Sequence, residues 1–200
     1  MSSADSLTLV EVPHIPLPTD LPGISSAFAY RPETAKPMRE LAEVLLRGEN
    51  TLTRAEREMI AAFVSSRNDC YFCHASHRAA AANHLDGDYE LIDSVRHDFE
   101  SAAVSPKLKA LLAIAGRVVT SGLDVTSDDI DRARAEDATD REVHDTILIA
   151  AAFCMFNRYV DGLGTWTPRD DDELYDGMGR RMAHEGYVRP SDDGTIQHHP

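Results

Sequence analysis

A chain of 200 residues, 42% of them hydrophobic, can bury a core without a disulfide scaffold, and its 11 glycines and 10 prolines are too few and too scattered for collagen-like or low-complexity sequence. Acidic residues outnumber basic ones 34 to 20, a formal charge of -14, which argues against the clustered Lys and Arg that a nucleic-acid surface requires. The start MSSADSLTLVEVPHIPLP has neither a basic n-region nor a continuous apolar h-region, and the longest apolar run, Ile147 to Phe156, is far short of the roughly 20 residues that span a bilayer, so a cytoplasmic protein with no membrane partner is expected.

From Val12 to Pro37, prolines at 13, 16, 18, 22, 32 and 37 interrupt any helix and predict an extended arm over 1–37 with one helical turn near Ser25 to Tyr30. Met38, Leu41, Ala42, Leu45 and Leu46 then recur at helical spacing until Gly48. Thr53 and Glu56 form a capping box that opens a helix with Met59, Ile60 and Phe63 facing the core. Asn68 or Asp69 can cap the next helix, which runs to about Leu85 and stops at Asp86-Gly87. Further helices are predicted over Tyr89 to His97, Ser105 to Thr120 with Pro106 in its first turn, Ser127 to Glu136, Asp140 to Tyr159 and Asp170 to Glu185. No β-alternation is found, and the fold class is all-α. The segments before and after Asp86 repeat a weak helical plan, the pattern of an internal duplication.

The stretch SRNDCYFCHASH, Ser66 to His77, gathers two of the three cysteines and two of the nine histidines. On a regular helix Cys70, Cys73, His74 and His77 share an arc of about 100°, with Tyr71, Phe72, Ala75, Ala79 and Ala82 opposite. The helix N-terminus favours thiolate at Cys70, whereas His77, one turn on, favours it at Cys73. A thiolate beside a second thiol can attack a peroxide, become a sulfenic acid and condense to a disulfide that an external dithiol reduces. Two other readings remain: zinc ligation by Cys70, Cys73 and His77 with His74 or a distant fourth ligand, and inert thiols. Cys154 lies in an apolar run and reads as core, while His84, on the face of His77, reads as surface or interface. Arg158 and Asp161 read as a local pair, and Gln197-His198-His199 is too short to argue metal binding.

Three segments together resemble the alkylhydroperoxidase D-like (AhpD-like) proteins of the carboxymuconolactone decarboxylase superfamily, in particular the peroxidase-related branch. They are Leu52 to Ile60, Ser66 to His77, and Phe156-Asn157-Arg158 through Gly164, with Glu58 standing twelve residues before Cys70. The resemblance spans about Leu21 to Pro168. It implies a multihelical orthogonal bundle, a catalytic unit over 38–168 followed by a helix and tail over 169–200, and a homo-oligomer of two, three or six copies. It also implies a thiol peroxidase without cofactor, acting on a small-molecule hydroperoxide. Cys73 would attack peroxide, Cys70 resolve, and Glu58 with His77 relay protons. AhpD itself carries a histidine before the second cysteine, where this chain has Phe72, a place that His74 would have to fill. True carboxymuconolactone decarboxylases lack the cysteine pair, so lactone decarboxylation is disfavoured. The helix Asp140 to Tyr159 is apolar nearly all round, which predicts cover by a neighbouring subunit, with the proline-broken arm lying across that neighbour.

Overall fold

Hydrogen-bonding side chains set where the helices begin. Capping boxes stand at Thr53/Glu56, Thr126/Asp129 and Thr139/Glu142, while Asp88, Ser105 and Asp171 each accept a backbone N–H from the first turn they precede. The structure, a computed structural model, describes residues 12–189, and among these there are nine α-helices and no strand. They are α1 (Ile24–Tyr30), α2 (Pro32–Arg47), α3 (Arg54–Arg67), α4 (Tyr71–Asn83), α5 (Tyr89–Asp98), α6 (Pro106–Thr120), α7 (Ser127–Ala135), α8 (Asp140–Gly162) and α9 (Asp172–His184).

The all-α expectation holds, but two boundaries differ from the sequence reading. α2 begins at Pro32 and carries Pro37 inside it, where a helix was expected only from Met38. Pro32 occupies the first turn, where no N–H is needed, and Pro37 is exposed in the second turn, so the carbonyl it leaves unmatched can take water. Neither Asn68 nor Asp69 caps α4. Asn68 closes α3, Asp69 turns the chain with a φ of 57°, and Cys70 is itself the N-cap residue without a side-chain cap bond.

α4 turns back along α3, and these two helices form the centre of the molecule. α8 packs on α3 and α6 on one side, and α9 lies against α4 on another. The α4–α9 contact is nearly backbone to backbone, since a Cβ at Gly179 would stand 2.5 Å from the carbonyl carbon of Ala79. The Ala79 to Ala82 run and Gly179 thus let α9 settle close enough to bring the segment after it over the α3–α4 pair. The main core joins Ile60, Phe63 and Val64 of α3 with Leu111, Leu112 and Ile114 of α6 and Ile149 and Phe153 of α8.

From residue 12 the arm lies on its own chain. His14 N donates to Leu163 O at 2.9 Å, Gly23 N donates to Trp166 O at 2.8 Å, and Leu17 is buried. These contacts hold residues 12–23 to their own chain, while residues 1–11 and the histidines at 198 and 199 lie outside the described residues. α8 is less apolar in its surroundings than expected: most of its apolar faces are covered within the chain, leaving a stripe of Leu148, Ala151 and Met155 exposed.

Two buried charges tie the loops to this frame. Arg57 Nη1 donates to the carbonyls of Leu45 and Gly48, each at 3.0 Å, fixing the α2–α3 turn. Glu142, fully buried, accepts from Lys107 Nζ at 2.7 Å, Thr51 Oγ1 at 2.9 Å and Thr139 N at 2.7 Å, joining the starts of α6 and α8 to the loop before α3. Burial alone would raise its carboxyl pKa, but Lys107 and the threonine donors win and hold it at about 2, below the usual 4.5. A depressed carboxylate contributes stability above its unfolded pKa and loses it as pH falls toward the folded value. Glu142→Gln should cost about 3 kcal/mol at pH 7, and the gap between wild type and variant should close between pH 4.5 and 2, as measured by urea unfolding across that range.

Candidate active site

Three features of the local sequence bring Glu58, Cys70, Cys73 and His77 together. Glu58 lies on the inward side of α3 and is fully buried, not at the edge of an apolar stripe as a surface carboxylate would be. The α3–α4 turn is held by Cys70 N donating to Ser65 O at 3.1 Å and by Asn157 of α8, which accepts from Asn68 Nδ2 at 2.9 Å and donates to Ser65 Oγ at 3.1 Å. Cys73 and His77 then follow one turn apart on the same face of α4.

The hydrogen-bond pattern fixes the direction of the relay. A carboxylate only accepts, so His77 Nδ1–H donates to Glu58 Oε2 at 2.7 Å, leaving Nε2 as the nitrogen able to exchange a proton elsewhere. The other carboxylate oxygen, Oε1, accepts from the hydroxyl of Tyr187. That hydroxyl also lies 3.4 Å from His77 Nδ1, and the two rings stack with an interplanar angle of 8°. Phe153 of α8 meets the His77 ring edge-on at a centroid distance of 4.6 Å. Burial first, and then the charge and hydrogen bond of Glu58, push the Tyr187 hydroxyl well above its ordinary range and keep it a donor.

Both thiols of the pair are free and buried, Cys70 at 1% and Cys73 at 4% exposure. The Cys70 thiol is hydrogen-bonded to Cys73, and this bond together with burial raises its pKa far above normal. The helix-terminus argument for an acidic Cys70 is therefore overturned: its position next to the α4 N-terminus counts for less than burial beside a second sulfur. Cys70 keeps its proton and directs it at Cys73.

Cys73, His77 and Tyr187 all line one cavity of about 80 Å³, walled chiefly by apolar side chains of α1, α2, α4, α8 and α9. Phe72 is on that wall too, and its ring sits so close to Gly23 that a Cβ there would stand 2.3 Å away. Chemistry and packing thus do not separate onto opposite sides of α4 as expected. His74 goes the other way. Its Nδ1 bonds Ala62 O at 3.0 Å, burial lowers its pKa, and it faces a different cleft beside Arg78 and Asp93, so it does not fill the place opened by Phe72.

Among the described residues no group of three or more His, Cys, Asp or Glu is placed to hold a metal ion, so the zinc reading lacks a ligand set. Cys154 is half-buried and packed against the edge of the main core, its sulfur accepting from Asn68 Nδ2 at 3.4 Å. Arg158 donates to the Cys154 carbonyl of its own helix at 3.0 Å, and His84 stands apart from the cavity lining. No described helix is long and apolar enough to cross a membrane. Tyr187 is the site residue that sequence reasoning missed, and the one available signal was an aromatic directly after Gly186 at a helix end.

Comparison with known proteins bears on the family and the fold. The model of the carboxymuconolactone decarboxylase family matches residues 32–117, a span from α2 into α6 that includes Glu58, Cys70, Cys73 and His77. A structure described as the alkylhydroperoxidase AhpD core of an uncharacterized peroxidase-related protein from Ralstonia eutropha is 27% identical, with a TM-score of 0.69 over 80% of this chain and 82% of that one. The chain is thus similar to the AhpD/carboxymuconolactone decarboxylase superfamily, in sequence over residues 32–117 and in fold over most of its length. An uncharacterized peroxidase-related protein from a Silicibacter species is 26% identical, with a TM-score of 0.68 over 83% of this chain and 92% of that one. A protein of unknown function from Agrobacterium tumefaciens, 20% identical, shares the fold with a TM-score of 0.61 over 72% of this chain and 97% of that one. No curated protein matches the chain. Within this AhpD-like fold, Tyr187 falls beyond the span matched by the family model. Tyr187→Phe removes one of the donors to a buried carboxylate and should destabilise the protein by about 2 kcal/mol, read as a lower urea midpoint with unchanged slope.

Proposed function

We propose that the protein is a thiol peroxidase that reduces small-molecule hydroperoxides through a Cys73/Cys70 dithiol and is returned to the dithiol form by an external dithiol reductant. The observation that carries this reading is that Cys73 and His77 open on one water-poor cavity while Cys70 touches Cys73 from behind. In the first step the Cys73 thiolate attacks the distal oxygen of the hydroperoxide, the O–O bond breaks, and the leaving alkoxide takes a proton to depart as alcohol. His77, held by Glu58, takes the Cys73 thiol proton on Nε2 and passes it to that alkoxide. The Cys70 sulfur then attacks the Cys73 sulfenic acid, water leaves, and a disulfide joins the two. An external dithiol donates two electrons and two protons to reset the pair. Glu58 and Tyr187 act through His77 as positioning groups. The names of the Ralstonia and Silicibacter proteins, alkylhydroperoxidase AhpD core and peroxidase-related, support the same class. A reducing compartment such as the cytoplasm would supply the dithiol.

Cys70→Ser leaves no resolving thiol, so peroxide should trap a sulfenic acid on Cys73, located by peptide mapping with a sulfenate-reactive probe. Label on Cys70 in Cys73→Ser, with Cys70→Ser unlabelled, would reverse the roles. In a peroxide-consumption assay, Glu58→Gln should lower turnover by a factor on the order of 10²–10⁴ while helical content stays unchanged.

We also propose self-association through the exposed stripe of α8, because Leu148, Ala151 and Met155 form an apolar row at helical spacing that water covers poorly. Light scattering coupled to size exclusion should give a mass of two or more copies, reduced by Leu148→Glu. A single species at 22.1 kDa for the wild type would reject it.

A further inference from the structure

The side of α4 turned away from Cys73 and His77 is not fully covered by the fold. Tyr71, His74, Ala75 and Arg78 recur there at helical spacing and form the floor of a second cleft of about 570 Å³. Tyr89 and Asp93 of α5 make one wall, and Tyr175 and Asp176 of α9 make the other. No residue lining this cleft also lines the thiol cavity. A volume within roughly 300–1,000 Å³, set between helices of a bundle, is that of a small-molecule site. The charges around it are matched within the chain. Arg78 holds Asp93 through two bonds of 2.6 and 2.5 Å, and Asp176 accepts from Arg180 at 2.6 Å and from the Tyr89 hydroxyl at 3.1 Å. At the exposed rim, Arg96 of α5, followed by His97, stands against Asp172 of α9.

His74 is the group in this cleft whose bonding is incomplete. It is 5% exposed, and its Nδ1 lies 3.0 Å from Ala62 O of α3. A carbonyl only accepts, so Nδ1 carries the ring proton and Nε2 of the neutral ring is a bare acceptor. Burial, helped by Arg96 and Arg78 and opposed by the Ala62 bond and Asp93, lowers the His74 pKa and keeps the ring neutral. The two nitrogens of an imidazole point in divergent directions. With Nδ1 turned to α3, Nε2 is turned away from α3, toward the cleft that the ring lines. It is buried and has no hydrogen-bond partner among the described residues. A buried acceptor left unmet is costly, and what meets it is a donor.

We propose that this cleft binds a small neutral aromatic compound bearing an O–H or ring N–H, which donates that hydrogen to His74 Nε2 while its ring lies among the tyrosines. The rings of Tyr71, Tyr89 and Tyr175 offer the edges and faces against which a flat ring packs, and the alanines at 75 and 79 keep the floor low enough to admit one. The matched charges give an ion no advantage over a neutral body. A compound that can only accept hydrogen bonds leaves Nε2 unmet. Because the cleft and the thiol cavity have no lining residue in common, the site does not depend on the peroxidase reading.

Titration of the full chain with indole and with benzofuran tests the assignment, because the two probes share one shape and only indole carries an N–H donor. Indole should bind at least about tenfold more tightly than benzofuran. In NMR of protein carrying isotope-labelled histidine ring nitrogens, indole should shift the His74 Nε2 resonance and benzofuran should leave it in place. His74→Phe keeps a flat ring and removes the acceptor, so the preference should fall to within about twofold. Ala75→Leu fills the floor and should weaken both probes by about tenfold, which keeps the test open where loss of the Ala62 bond prevents His74→Phe from folding. Indole-5-carboxylate should bind no more tightly than indole. Equal affinity for indole and benzofuran in the wild type, a His74 resonance unmoved at indole saturation, binding unaffected by Ala75→Leu, or a preference that survives His74→Phe would each overturn the site. Tighter binding of the carboxylate would overturn the neutral class.

Discussion

A carboxyl group with no access to water must find its hydrogen-bond partners within the protein, and Glu58 is such a group. Its two oxygens are met by two separate elements, by His77 of the central helix pair and by Tyr187 beyond the last helix. Much of the architecture follows from that requirement. α9 must approach α4 closely enough for the segment after it to reach α3, which is why a glycine faces Ala79 and why the α4 surface there is alanine. Glu43 and Arg47 of α2 hold that segment and the end of α9 from the other side, through Tyr187 N at 2.8 Å and the Met182 carbonyl at 3.0 Å. The apolar cavity is what these contacts leave enclosed.

The second constraint acts on sulfur. A cysteine next to a helix N-terminus is usually expected to be the acidic one, because unpaired backbone N–H groups favour the anion. Cys70 shows the limit of that rule. The preceding turn drives it inside, against its partner sulfur, and the loss of hydration outweighs a partial charge. The two thiols are therefore unequal by environment: one opens on the cavity beside the imidazole, the other is held behind it as a proton donor. In a dithiol cycle this inequality decides which sulfur meets substrate first.

How far such a site can be read in sequence depends on whether each signal is local. The start of α3 was legible because Thr53 with Glu56 writes its cap within four residues. The positions of Cys70, Cys73 and His77 on one turn of chain were legible for the same reason, and the resemblance added Glu58. Pro37 misled because proline is a helix breaker on average, whereas a second-turn position open to water tolerates the missing bond. Phe72 and His74 misled because an ideal helical wheel does not say which neighbour covers which side: α9 and the α1 turn close over Phe72, and α3 takes His74. Tyr187 is 129 residues from Glu58, and no local pattern announces a partner at that distance.

That separation has a temporal side. During synthesis the two cysteines, His77 and Glu58 leave the ribosome long before Tyr187, and at about 5–20 residues per second the remaining stretch takes roughly 5 to 25 seconds to make. For that interval the nascent chain carries a pair of neighbouring thiols whose cavity has no last wall and whose carboxylate lacks one of its donors. The pair is then open to whatever oxidant or thiol the surroundings contain, and the docking of α9 is the event that places it under the protein's own control.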